Sequence, residues 1–100
     1  MMVMSIMRIE GDPDELRERM TEVEKVAERI APELGGISST LVKTDDGLML
    51  VNLWKDEHAR HKMADHPEIQ AAIRAAGLPA PHAEGYEVLA HRVAEQHASV

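Results

Sequence analysis

The spacing of apolar residues predicts strands in some segments and helices in others. Residues 2–9 are apolar on both faces of an extended chain, which is typical of a strand covered on both sides. Asp12-Pro13, followed by Glu15, then signals a helix start, and Pro32 and then Gly35-Gly36 signal its end. Between these signals apolar side chains recur at steps of four and three residues, which predicts one amphipathic helix with the buried stripe Leu16, Met20, Val23, Ala27 and Ile30.

The middle of the chain predicts a β-hairpin. Residues 37–43 and 48–54 are β-compatible, and the second run is again apolar on both faces. Asp45-Asp46-Gly47 lies between them and has turn chemistry. We expect Gly47 to supply the positive φ of a tight turn.

The C-terminal part predicts an interrupted helix and one more strand. Residues 55–64 and 68–76 are helical in pattern and are separated by Pro67, and we expect Asp65 to cap the second piece. Residues 84–93 predict the closing strand. Residues 94–100 predict a polar, mobile tail.

This β-α-β-β-α-β order predicts an α+β fold of the ferredoxin-like type, with residues 1–93 forming a single domain. Its four-stranded antiparallel sheet carries two helices on one face only. Because the first and third strands are apolar on both sides, we expect a second copy to cover the other face in a homodimer. A monomer with a solvated, partly apolar face is the alternative.

The amino-acid composition limits the classes of partner that the protein is expected to bind. The formal charge is −7, which argues against nucleic acid and against an anionic membrane surface. The chain has no cysteine, which excludes thiolate chemistry and fits a cytoplasmic location. It shows no signal-peptide pattern and no apolar run long enough to span a membrane.

The segment from Val51 to Ala59, an apolar strand ending in Trp54 and followed by acidic residues that open a helix, carries a family resemblance. It resembles the dimeric α+β barrel superfamily, and within it the antibiotic-biosynthesis-monooxygenase-like domains. Length, element order and the closing strand around Tyr86 agree, so the resemblance covers nearly the whole chain. It implies a homodimer with a cavity between sheet and helices, and activities that include cofactor-independent oxidation of quinols or aromatic polyketides and haem degradation.

The resemblance favours the first activity over the second. Haem-degrading relatives use an Asn on strand one, a second Trp and a His ligand on helix two, and this chain has none of these at the matching positions. Polyketide-oxidising relatives use an Asn and a Trp on strand three with an Arg on helix two. Trp54 matches, Arg74 lies near the Arg position, and Asn52 shares a strand face with Trp54 at a shorter spacing.

Each candidate site residue has a functional and a structural interpretation. Trp54 stacks against an aromatic substrate or closes the core. Asn52 bonds a ligand or a developing oxyanion, or else a backbone group. His66 points towards the cavity as a general base, or bonds the backbone at the helix break. Arg74 clamps an anionic group, or pairs on the surface with Glu68 or Asp65.

No other chemistry stands out in the sequence. His58 and His61 are spaced to share a metal, but the apolar stripe puts them outside, where a solvated pair is the simpler interpretation. The sequence contains no nucleotide-binding fingerprint and no serine-centred elbow.

Together with the resemblance, the candidate residues suggest a cofactor-independent monooxygenase-like enzyme for a small aromatic or quinol-type molecule. The alternative is a dimeric module that binds a small apolar ligand without turnover. The enzyme assignment fails if Asn52 faces the dimer interface.

Overall fold

The computed structural model describes residues 1–79 and 81–94 and has the predicted element order. The strands are β1 (Val3–Glu10), β2 (Gly36–Thr44), β3 (Gly47–Trp54) and β4 (His82–Glu87). The helices are α1 (Pro13–Leu34), α2 (Glu57–Ala64) and α3 (Pro67–Ala76). The strands form one antiparallel sheet in the order β2-β3-β1-β4. The ferredoxin-like α+β fold is therefore confirmed, with the second helix divided at Pro67 as the sequence indicates.

The core lies between α1 and one face of the sheet. Ile9 of β1 and Leu48 of β3 are cross-strand partners, and both pack against the buried stripe of α1. Since side chains alternate along a strand, the odd-numbered residues of β1 and the even-numbered residues of β3 face the helices. The predicted stripe is buried at every position except Ala27, which is half-buried.

The opposite face of the sheet carries no helix from residues 1–79 and 81–94. Its central positions are the even residues of β1 and the odd residues of β3: Met4, Ile6, Arg8, Met49, Val51 and Leu53. Most of them are half-buried in the single chain, and Tyr86 on β4 is 50% exposed. We call this surface the open face.

The ends of α1 follow the predicted capping chemistry. The Asp12 side chain accepts a hydrogen bond of 3.0 Å from the Glu15 N–H, which satisfies one of the free donors of the first turn. Pro32 lies inside α1 and does not end it. Gly35 ends the helix with a φ of 105°, a left-handed conformation that glycine adopts without a Cβ penalty.

Gly47 is needed for a different reason than predicted. Its φ is not positive, and it is the first residue of β3, opposite Glu10. A Cβ at this position would lie 1.9 Å from the Ile9 carbonyl oxygen. The glycine therefore permits close approach of β1 and β3 at the hairpin.

The caps of α2 and α3 correct the sequence prediction. Asp56 caps α2 by accepting the Ala59 N–H at 2.8 Å. Asp65 ends α2 and does not cap α3, so that prediction is wrong. The N-cap of α3 is His66, because Pro67 occupies the first helical turn and places the imidazole one residue before it.

The closing strand is shorter and begins earlier than the predicted 84–93. It runs from His82 to Glu87, where its last partner is Val3 at the start of β1. One further backbone bond joins the Val88 N–H to the Met2 carbonyl. Beyond this point β1 offers no partner, and Leu89 is 90% exposed. The predicted tail from residue 95 onward lies outside the described residues.

Among residues 1–79 and 81–94, no helix combines the length and apolarity needed to cross a membrane.

Candidate functional site

A row of polar or small residues crosses the helix-facing side of the sheet. Asn52 on β3 is paired directly with Ser5 on β1 and with Ser39 on β2, and Ser5 is paired with Gly85 on β4. On this face the row is preceded by apolar residues, including Leu50 and its partners Met7 and Leu41. We call Ser39, Asn52, Ser5 and Gly85 the polar row.

Trp54 closes one side of the polar row. Its side chain is buried, and the indole N–H donates a hydrogen bond of 2.9 Å to the Ser5 hydroxyl. Ser5 is itself buried, and its hydroxyl is the acceptor that lets the indole lie in the core without an unpaired donor. The indole N–H is thus already engaged, and Trp54 contributes an aromatic wall.

Asn52 keeps its amide available. It faces the helices together with Trp54, on the side of the sheet opposite the open face. The residue is half-buried, and its side chain has no hydrogen-bond partner within residues 1–79 and 81–94. An amide in this position can both donate to and accept from a bound molecule.

The helices pack chiefly over β1, β2 and β3, and β4 is the least covered strand on this side of the sheet. Helix α1 packs over β2 and β3, α2 packs over β1 and β3, and α3 packs chiefly against α1. Ala83, Gly85 and Glu87, the β4 residues whose register puts them on the helix side, are exposed. The β4 end of the polar row is therefore exposed, whereas Ser5 and Trp54 are buried.

Arg60 of α2 lies at the β4 end of this row. A Cβ on Gly85 would lie 2.9 Å from the guanidinium carbon of Arg60, so the guanidinium rests on the glycine backbone. Its Nη1 donates to Glu57 at 2.5 Å, and its side chain is only 23% exposed. Sequence reasoning missed Arg60, Ser5 and Gly85, because their proximity arises from strand pairing and helix packing and not from local spacing.

The other two predicted site residues lie outside the polar row. The Nδ1 atom of His66 accepts the Glu68 N–H at 3.2 Å, which matches the structural interpretation of this residue. Arg74 is exposed on α3, and among the described residues it pairs with neither Asp65 nor Glu68, which forms its ion pair with Arg29 of α1. Neither His66 nor Arg74 bonds Asn52, Trp54 or Ser5 within the described part of the chain.

The histidines considered for metal binding are on the surface of α2. His58 and His61 are exposed, and His61 lies 3.1 Å from the Glu57 carboxylate. In the described ranges 1–79 and 81–94, no group of three or more His, Cys, Asp or Glu side chains is placed to hold a metal ion.

Two of the groups with shifted pKa values, Glu84 and Tyr86, are also away from the row. A hydrogen bond from the Tyr86 hydroxyl lowers the pKa of Glu84, and the same bond raises the pKa of Tyr86. Both residues are on the open face, near Arg8 and His82. Two shallow depressions, of about 220 and 370 Å³, lie around Arg8 and Glu10 at the C-terminal end of β1 and do not include the polar row.

Solved structures share this fold. No protein-family model and no curated protein sequence matches the chain. SnoaB, a cofactor-independent oxygenase from Streptomyces nogalater, superposes with a TM-score of 0.69 at 17% identity, covering 97% of this chain and 96% of SnoaB. A candidate antibiotic biosynthesis monooxygenase from Caulobacter crescentus CB15 gives a TM-score of 0.72 at 16% identity, covering 89% of this chain and 91% of the other.

A dimeric ferredoxin-like protein of unknown function from Jannaschia sp. CCS1 gives a TM-score of 0.69 at 18% identity, with 88% of this chain and all (100%) of that chain covered. The chain therefore has the ferredoxin-like fold of the antibiotic-biosynthesis-monooxygenase-like proteins, and the resemblance seen in the sequence is confirmed at that level. At identities this low, structural similarity establishes the fold only. The activity has to be inferred from the residues of the site.

The hydrogen bond between Ser5 and Trp54 is expected to contribute to the stability of the protein. Ser5→Ala leaves a buried indole N–H without an acceptor, which we expect to lower the free energy of unfolding by about 1–3 kcal/mol. Urea denaturation followed by the fluorescence of Trp54, the single tryptophan, measures this loss. Ser38→Ala, on an exposed residue of β2, is the control and should change little. A loss of less than about 0.5 kcal/mol in Ser5→Ala would contradict the structural role of the bond.

Proposed function

We propose that the protein is a cofactor-independent monooxygenase-like enzyme that acts on a small aromatic or quinol-type molecule and works as a homodimer. The observation that carries the proposal is the polar row. Asn52 is half-buried and presents an unpaired amide beside the wall formed by Trp54, on the helix-facing side of the sheet.

The proposed reaction requires the site to hold an aromatic ring and to stabilise the charge on one ring oxygen. An aromatic ring lies against Trp54 and the apolar side chains of Met7 and Leu50, which exclude water from one side of the ring. The Asn52 amide donates to a ring oxygen, and it stabilises the negative charge when that oxygen loses its proton. A deprotonated electron-rich ring supplies its own electrons to dioxygen, so the reaction places no demand on a resident cofactor. His66 as a base and Arg74 as an anion clamp stay predictions.

A second candidate function is ligand binding without turnover. The polar row contains no titratable side chain, and the indole N–H of Trp54 is already bonded to Ser5. A pocket of this kind holds an aromatic molecule without supplying a general base. The fold is also that of proteins of unknown function. Both functions require Asn52, so loss of binding in an Asn52 variant does not separate them. Oxygen consumption does, because only the enzyme consumes dioxygen.

Substitution of Asn52 tests the site. With an electrode measuring dioxygen uptake and a panel of hydroquinones and naphthols as substrates, we expect Asn52→Ala to lower turnover about 100-fold, the effect of removing one oxyanion donor. Gln70→Ala removes another amide, exposed on α3, and should leave turnover unchanged. Uptake equal in wild type and Asn52→Ala would exclude the site. Asn52-dependent binding with no uptake by wild type would instead establish the binding module.

A substitution on the open face tests whether the protein forms a homodimer through this surface. This face exposes an apolar strip of β1 and β3 that two copies bury by packing sheet to sheet. We expect Val51→Lys to convert a dimer into a folded monomer at micromolar concentration, because the substitution buries an unpaired charge in the interface. Analytical ultracentrifugation measures the mass, and circular dichroism checks the fold. The control is Ala75→Lys, at an exposed position of α3. A monomeric wild type, or a dimeric Val51→Lys, would overturn the assignment of this face.

A further inference from the structure

Residues 88–93 continue the chain beyond β4, and we call them the C-terminal arm. The sequence predicts a strand through residue 93, but the ladder with β1 ends at Glu87. After the bond from the Val88 N–H to Met2, the arm backbone makes no hydrogen bond to residues 1–79 or 81–94. Leu89 is 90% exposed and Val93 is 80% exposed. The arm therefore has a strand-forming sequence without a strand partner.

The sheet has one edge that is not protected against pairing. Its edge strands are β2 and β4, and an edge strand presents unpaired N–H and C=O groups that proteins commonly protect with charged side chains. On β4 the ionisable residues His82, Glu84 and Glu87 supply this protection. Residues 36–42 of β2 include no charged residue, and residues 37–40 are exposed. β2 is therefore the edge that is open to another strand.

The arm and the edge of β2 also match in their apolar side chains. The register of β2 shifts between Gly36 and Ser38, and Ile37 at this shift is 49% exposed. An arm that lies along β2 buries Ile37 together with Leu89 and Val93. The same contact satisfies the free backbone groups of both segments, as in the addition of a strand to a sheet edge.

The β2 edge that receives the arm belongs to a second copy. Within one chain β2 lies three strand spacings from β4, about 14 Å. Crossing the end of the sheet would use about four of the six arm residues and leave too few for a ladder. When two open faces pack about a two-fold axis parallel to the strands, β4 of each copy lies over β2 of the other. Both arms then reach an edge at once.

We infer that the C-terminal arm of each copy adds a strand to the β2 edge of the other copy. The homodimer is then held by two exchanged strands as well as by its open faces. Ser39, the polar-row residue on β2, lies at the edge that the partner's arm covers. This inference rests on the proposed homodimer and is independent of the proposed chemistry.

Cysteine cross-linking tests which chain the arm pairs with, because the natural chain has no cysteine. Arm variants and β2 variants are refolded together in pairs and treated with a short bismaleimide, which tolerates a shift in register. The arm variants are Leu89→Cys, Ala90→Cys and His91→Cys, and the β2 variants are Ser38→Cys, Ser39→Cys and Thr40→Cys. We expect covalent dimers in which mass spectrometry finds arm peptides linked to β2 peptides, since paired strands lie about 5 Å apart.

The control for cross-linking is Ala75→Cys, at an exposed position of α3, which should link to neither set of variants. The double variant Ser39→Cys/Ala90→Cys tests pairing within one chain. Links confined to single chains of this variant, or a dimer in which no arm variant links to a β2 variant, would overturn the inference.

Substitution of the apolar arm residues tests whether the exchange stabilises the dimer. We expect Leu89→Ser/Val93→Ser to raise the dissociation constant of the dimer at least about 100-fold, because four apolar side chains per dimer lose their burial. Analytical ultracentrifugation measures the constant. Circular dichroism should show an unchanged fold, since both residues are exposed in the single chain. Leu89→Ile/Val93→Ile and Ala75→Ser should both keep the affinity of the wild type. An unchanged constant in the serine variant would overturn the inference.

The outcomes separate the arm exchange from the proposed homodimer. A dimer that Val51→Lys disrupts and the serine variant does not would exclude the exchange and leave the homodimer standing. A monomeric wild type at micromolar concentration would overturn both. Disruption by both variants, with arm-to-β2 links between chains, would support both.

Discussion

The alternation of side chains along β1 and β3 is the constraint on which the rest of the structure depends. Both strands are apolar on both faces, and the pairing of Ile9 with Leu48 fixes which face meets α1. A shift of one residue would exchange the two faces and bring Asn52 and Ser5 to the side without helices. The same register therefore sets the core, the polar row and the open face. Gly47 supports it, because its hydrogen side chain is all that fits against the Ile9 carbonyl.

Local signals were sufficient for most of the fold. The spacing of the α1 stripe, the cap at Asp12 and the glycines after the helix predict α1 to within a residue or two of its ends. The predictions from the sequence were wrong where contacts with other segments determine where a strand or helix ends. β4 ends at Glu87 because its partner β1 begins at Val3, a limit that no pattern within residues 84–93 contains. At the α2–α3 junction Asp65 and His66 are both plausible caps, and the phase of the helix selects His66.

The site was predictable only where its residues share one strand. Asn52 and Trp54 are two apart on β3, so their common face follows from the sequence. Ser5, Gly85 and Arg60 join them through strand pairing and helix packing between segments far apart in the chain. The predictions for His66 and Arg74 depended on the rotational phase of a helix broken at Pro67. There the structure gives His66 a capping role and leaves Arg74 exposed.

The central claim is that the helix-facing polar row, and not the open face, receives an aromatic molecule. Nuclear magnetic resonance of ¹⁵N-labelled protein tests it directly, since the chain has one Asn and one Trp and so a single resonance set for each side chain. On addition of 2-naphthol, the Asn52 side-chain amide should shift, and the Trp54 indole N–H should exchange slowly with solvent because Ser5 holds it. Shifts confined to Met49, Val51 and Ile6, with the Asn52 amide unchanged, would contradict the account.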